Sequence, residues 1–132
     1  ATRPADTLRG LDRDAPTVAV AEGLLMYLRP AAVAALWHGV RAHCRARVDV
    51  VATAMACGGD GSPGFARQRP WLHGWLAHRG EPFAWGASRA RLPATMAAAG
   101  IAITQVADPH DAGDPDPCPG EWLFRGALLP PP

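Results

Sequence analysis

PTVAVAEGLLMYLRP, Pro16 to Pro30, is the stretch whose reading decides the fold. Thr17 to Ala21 is a short, uninterrupted run of β-branched and small apolar residues, closed by a proline on one side and Glu-Gly on the other. That pattern predicts a strand buried on both faces, since a strand with one solvated face alternates apolar with polar residues. Glu22 follows at the end of the strand, where a carboxylate must either reach water or meet a cation, because burying it unpaired is costly. A second apolar run with one tyrosine then leads to Pro30, a residue suited to the first turn of a helix.

Working outward, Val33, Leu36, Trp37, Val40 and Cys44 recur at intervals of three and four, which predicts an amphipathic helix to about Arg45. Val48 to Ala54 is again apolar and β-branched and ends in the glycine-rich loop CGGDGSPG. A helix joining two apolar strands implies that they run parallel, and parallel sheets are normally covered on both faces. Further on, PWLHGWLAH, Pro70 to His78, sets Trp71, Leu72, Trp75 and Leu76 on one helical face. Arg89 to Ala99 is alanine-rich, interrupted by Pro93, and stops at Gly100 as a helix would. Ile101 to Ala107 alternates as a half-covered strand does. The turn-rich linker DPHDAGDPDPCPG precedes a last strand, EWLFRGALL, expected to be antiparallel because no helix intervenes. Residues 1–15 read as a polar lead-in segment and 16–132 as one α/β unit.

Composition narrows the function classes. At 132 residues and 48% hydrophobic, the chain has the size and apolar content of one ordinary domain. The net charge is +1, from 13 basic and 12 acidic residues, so no overall field draws the chain to nucleic acid or to an anionic membrane. Lysine is absent while Ala, Arg, Gly and Pro abound, a bias that GC-rich coding produces without a functional cause. Cys44, Cys57 and Cys118 are odd in number and far apart, which fits reduced thiols in the cytoplasm better than a disulfide framework. No apolar run has the length of a membrane span, and ATRPADTLRG carries no signal-peptide hydrophobic region.

The succession Glu22-Gly23-Leu24-Leu25-Met26-Tyr27-Leu28-Arg29-Pro30 at the end of an apolar strand resembles the leucine carboxyl methyltransferase family and its bacterial relatives, among them polyketide O-methyltransferases. One residue stands between Leu28 and Pro30, a departure that should only move the start of the helix. GEPFAWG, the helix ending AAAG, and GEWLFRG are similar to the closing portion of such proteins, although these pieces are short and permissive. The resemblance implies a Rossmann-like class I methyltransferase fold that uses S-adenosyl-L-methionine. Its seven-stranded, mainly parallel sheet would supply only its fourth to seventh strands here, the last of them antiparallel. No counterpart of the glycine-rich cofactor loop or its downstream acid is found, so the chain is expected to be the C-terminal half of such an enzyme, inactive alone, or a reduced relative of it.

On that resemblance Glu22 would contact the cationic amino-acid end of the cofactor; read without it, Glu22 is a solvated acid in a strand-to-helix loop. Gly23 would let the backbone approach the cofactor, or simply make a tight turn. Tyr27 would line the methyl-acceptor pocket with Met26 beside it. Their ordinary alternatives are a core aromatic with its hydroxyl at the surface and a packing methionine. No catalytic residue is assigned; a hydroxyl acceptor would profit from a base such as His73 or His78 if the tryptophan-rich helix overhangs the site. No metal site is expected, because His38 with His43 and His73 with His78 are each five apart, and Asp108, Asp111, Asp114 and Asp116 lack calcium-loop spacing. The mix in RQRPWLHGWLAHRG suits a capping helix better than a single-strand nucleic-acid platform. The functional expectation is therefore methyl transfer to a small molecule or carboxylate. The alternative is a non-catalytic remnant that serves as a binding or interaction module.

Overall fold

A computed structural model describes residues 8–58, 61–65, 69–108 and 120–130. Four strands form one sheet in the order β1-β2-β4-β3: β1 is Thr17–Ala21, β2 Val48–Met55, β3 Ile101–Ala107 and β4 Glu121–Leu128. β1 and β2 pair in parallel, Thr17 opposite Val48 and Ala21 opposite Ala52, as the strand-helix-strand reading requires. β4 inserts between β2 and β3 and runs antiparallel to both. Three strands thus point one way and only the last returns, the mainly parallel arrangement expected.

The helix between β1 and β2, α1, spans Pro30–His43, with Pro30 in its first turn and Arg29 extended as the residue before a proline prefers. It ends two residues short of Arg45, and the Cys44 amide closes it on the Val40 carbonyl. Its apolar stripe is the one read from the sequence: Val33, Trp37 and Cys44 are buried, with Leu36 and Val40 packed against them. α2 is Pro70–His78, as expected, but only part of its stripe faces inward. Leu76 is buried while Trp71 and Trp75 are 60% and 46% exposed. α3 is shorter than expected, Leu92–Ala98; Pro93 lies in its first turn and starts the helix instead of interrupting it. Leu25–Tyr27 forms a 3-10 turn that periodicity did not reveal.

One expectation is overturned. Among the described residues the sheet is covered on one face only, where Val48, Val50, Ala52 and Ala54 of β2 and Phe124 and Leu128 of β4 pack on α1 and α3. On the other face Val18 and Val20 of β1 are 63% and 70% exposed, so β1 is buried on neither its outer face nor its outer edge. Its uncharged, β-branched and small sequence still carries the pattern of a strand made for burial. Cys118 and the acidic linker from Asp111 to Asp116 lie outside the described residues; Cys44 and Cys57 form no disulfide with each other. Among the described residues no helix is long and apolar enough to cross a membrane.

Candidate functional site

The carboxyl ends of β1 and β2 lie side by side, and β4 begins there. In open α/β sheets ligands gather beyond the carboxyl ends of the strands, where loops diverge and backbone groups point outward. β1 stops at Ala21 while β2 runs on to Met55, so the Glu22-Gly23 turn folds against Thr53. Gly23 has φ of 61°, a left-handed value that a side chain disfavours, and its N–H donates to Thr53 Oγ1 at 2.9 Å. The Thr53 hydroxyl in turn donates to the carboxylate of Glu121, the first residue of β4, which stands opposite Met55. Burial raises the Glu121 pKa above its ordinary range, the Thr53 hydrogen bond opposes this, and the charge of Glu22 adds to the rise. Two carboxylates and the hydroxyl between them therefore converge at this end of the sheet, with Glu22 itself exposed.

The loop after α2 roofs the neighbouring part of this end. Ala84 and Trp85 N–H both donate to the Met26 carbonyl, at 2.7 and 3.2 Å, and Ala87 N–H donates to the Met55 carbonyl at 2.9 Å. GEPFAWG and the Ala87 that follows it are thus sewn to the 3-10 turn after β1 and to the end of β2, with the Trp85 side chain in the core. Gly86 is required there because a Cβ would stand 2.9 Å from both the Met55 carbonyl oxygen and the Pro63 Cβ. The loop carries Phe83 to the Tyr27 ring, with centroids 5.8 Å apart and planes tilted by 39°. Phe65 and His73 meet Phe83 edge-on, each at 5.8 Å. Such tilted and T-shaped pairs are the arrangements that ring quadrupoles favour.

The residues singled out from sequence divide clearly. Glu22, Gly23 and Tyr27 are all exposed, Gly23 against Thr53 and Tyr27 against Phe83, and Tyr27, 43% exposed, is not a core aromatic. Met26 is 5% exposed and packs inward. His73 joins the aromatic cluster, whereas no ring contact connects His78 to it. Thr53, Phe83 and Glu121 were missed. Their only sequence signals were a polar residue within an apolar strand, an aromatic in GEPFAWG, and an acid opening the last strand. Among the described residues no group of three or more His, Cys, Asp or Glu side chains could hold a metal ion.

Known structures share this architecture. The Burkholderia thailandensis 1,6-didemethyltoxoflavin-N1-methyltransferase, solved with 1,6-didemethyltoxoflavin and S-adenosylhomocysteine, superposes with a TM-score of 0.57 at 12% identity, over 85% of this chain and 43% of that one. The pyocyanin biosynthetic protein PhzM matches with a TM-score of 0.50 at 13% identity, over 85% of this chain and 30% of its own. A Nostoc punctiforme protein described as an O-methyltransferase gives 0.50 at 11% identity, over 83% and 30%. At these identities the likeness is one of fold: the chain carries part of a Rossmann-like methyltransferase sheet. It spans between 30% and 43% of the length of these three proteins. No protein-family profile matches the chain, and no curated protein matches it.

Proposed function

We propose that the chain is the C-terminal half, residues 16–132 after a lead-in of 1–15, of an S-adenosyl-L-methionine-dependent methyltransferase acting on a small molecule. The observation that carries this reading is the position of the Glu22-Gly23 turn, beyond the carboxyl ends of two parallel strands and tied to β2 through Thr53. The cofactor carries an ammonium and a sulfonium, and the two carboxylates at this end provide the charge that such a ligand needs. Glu22 would meet the amino-acid end of the cofactor, and Gly23 leaves its backbone open to close approach. The uncovered outer face of β1 supports the half-domain reading, as does the similarity in fold to methyltransferases about two to three times the chain's length. The finer assignment to the relatives of leucine carboxyl methyltransferases rests on the Glu22 to Pro30 motif.

Methyl transfer is an in-line displacement in which the protein mainly aligns the acceptor with the methyl carbon. Tyr27 and Phe83 offer the acceptor a ring-lined wall. Met26 supports that wall from the core side, its carbonyl holding residues 84 and 85 in place. A carboxylate acceptor needs no base; for a hydroxyl acceptor His73, whose ring meets Phe83 edge-on, would take the proton. Cys44 and Cys57, which form no disulfide with each other, agree with a reducing, cytoplasmic setting.

The test is calorimetric titration with S-adenosylhomocysteine of a protein in which an upstream Rossmann half precedes these residues. Glu22→Gln there should weaken binding by about 1 to 3 kcal/mol, the range for losing a charged hydrogen-bond partner, without lowering Tm. Equal affinity of the two proteins removes Glu22 from the site. A longer protein that binds no S-adenosylhomocysteine leaves the interaction-module reading in its place.

A further inference from the structure

The outer face of the sheet, which no described element covers, is apolar along β1 and carries a lone cation near its middle. Strand register sets the rows that cross it: Val18 beside Asp49 and Ala127, Val20 beside Val51 and Arg125, and Thr53 beside Leu123. β3 continues these rows, with Gln105 beside Arg125 and Ala107 beside Leu123. Val18, Val20 and Leu123 all stand exposed. Between β2, β4 and β3 a depression of about 210 Å³ opens in this face, lined by Val51, Gln105, Ala107, Leu123, Phe124 and Arg125. That is space on the scale of a side chain reaching down from something laid across the sheet.

Two charges on this face differ in kind. Asp49 is already matched, since Arg47 Nη2 donates to its Oδ1 at 2.8 Å. Arg125 is exposed, and among the described residues no acid pairs with its guanidinium. An exposed arginine can rest in water, but one beneath a covering element cannot, because a buried charge without its partner is strongly destabilising. Whatever covers this face must therefore bring an acid to Arg125. The form of the cover follows from the strands. β1 and β2 are parallel, and parallel strands are closed on their faces by helices, as α1 and α3 close the inner face here. An apolar stripe to meet Val18, Val20 and Leu123, with a carboxylate set within it, describes an amphipathic helix of one definite kind.

We propose that the outer face of the sheet is the docking surface of an amphipathic α-helix whose apolar stripe carries one carboxylate, and that this carboxylate pairs with Arg125. The helix belongs to the polypeptide that completes the half-domain, and to that extent the inference rests on the half-domain reading; it needs neither the cofactor nor Glu22, so its test is blind to cofactor binding. The probe is a fluorescein-labelled helical peptide of leucine, alanine and glutamine with a single glutamate in its leucine stripe. Anisotropy is followed with the 132-residue chain at concentrations too low for self-association. The peptide should bind saturably, and the same peptide with lysine in place of the glutamate should bind at least about tenfold more weakly, because it sets like charges against each other. Arg125→Glu should reverse the order, the lysine peptide then binding about tenfold better than the glutamate peptide, a swap that loss of folding cannot produce. Val18→Lys with Val20→Lys should weaken both peptides. Should Arg125→Glu fail to fold, the comparison of the two peptides on the native chain decides alone. Equal binding of the two peptides by the native chain, or a folded Arg125→Glu that keeps the native preference, would overturn the proposal. So would the absence of saturable binding by the glutamate peptide, and a chain that then associates only with itself through Val18 and Val20 would assign the face to a second copy.

Discussion

Glu121 shows how a single residue can matter at the candidate site while being invisible in the sequence. EWLFRGALL announces a strand, but that its first residue stands beside Glu22 follows only from the insertion of β4 next to β2, which puts Glu121 opposite Met55. Sheet order is decided by long-range packing, and no local pattern encodes it. Glu22 itself was legible, because an acid at the end of an apolar run is costly wherever it cannot reach water or a cation. The raised pKa of Glu121 gives this pairing a stability signature. A carboxyl whose folded pKa lies above its ordinary value of 4.5 binds protons more readily in the native state, so it lowers stability above its folded pKa and ceases to do so below 4.5. Glu121→Gln, which keeps an oxygen for the Thr53 hydroxyl, should therefore stabilise the chain at neutral pH. The gain should be below about 1 kcal/mol, because the half-exposed group is screened by solvent. Urea unfolding of both proteins at neutral pH and at pH 4 checks the sign: the difference should shrink to nothing in acid, and destabilisation at neutral pH would show that Glu121 is held by a partner other than those described.

At the scale of elements, α1 and the four strands were legible because each has a period that burial enforces: three and four in Val33, Trp37 and Cys44, and β-branched runs in the strands. The Leu25–Tyr27 turn was not, since three residues carry no period. Trp71 and Trp75 stay exposed because a stripe of apolar residues reports a preference for burial and does not supply the surface that buries it. The loop GEPFAWG was recognisable only as a short string. Its role as the clamp joining Met26 and Met55 depends on backbone hydrogen bonds to which any sequence could contribute. What the sequence does contribute is Gly86, whose missing Cβ allows the loop within reach of the strand end. Gly86→Ala should cost about 1 to 3 kcal/mol, as overpacking against backbone usually does, because the Met55 carbonyl cannot move aside without losing its bond to Ala87. Chemical denaturation measures the loss, and the amide exchange of residues 84, 85 and 87 should accelerate with it. An unchanged midpoint would mean that the loop is not held to β2 in solution.

Taken as a whole, the molecule combines a well-packed face with one that has no cover. Trp37, Phe124, Leu92 and Met96 close the inner side of the sheet, whereas Val18, Val20 and Leu123 stand in water on the outer side. β1 is also an edge strand, so its outward N–H and C=O groups are unpaired within the described sheet. An apolar face beside an open edge is the arrangement that folded proteins avoid, by charge, by bulges or by covering elements, because it templates the addition of another strand. β1 has none of those protections: its five residues TVAVA carry no charge and no proline, the composition of a strand meant to lie inside a larger sheet. The 132 residues by themselves should therefore associate, with an elution volume on size exclusion that shifts with concentration. Val18→Lys with Val20→Lys should reduce that association by placing two charges on the outer face while leaving the buried Ala21 and the pairing with β2 unchanged. A protein carrying a Rossmann half upstream should elute as a single species with the native valines, and there the same double substitution should be destabilising, because the lysines would then be forced under a covering element. A clean monomer with a cooperative melt from the native 132 residues would instead show that the open face is tolerated in water, and the half-domain reading would lose its physical basis.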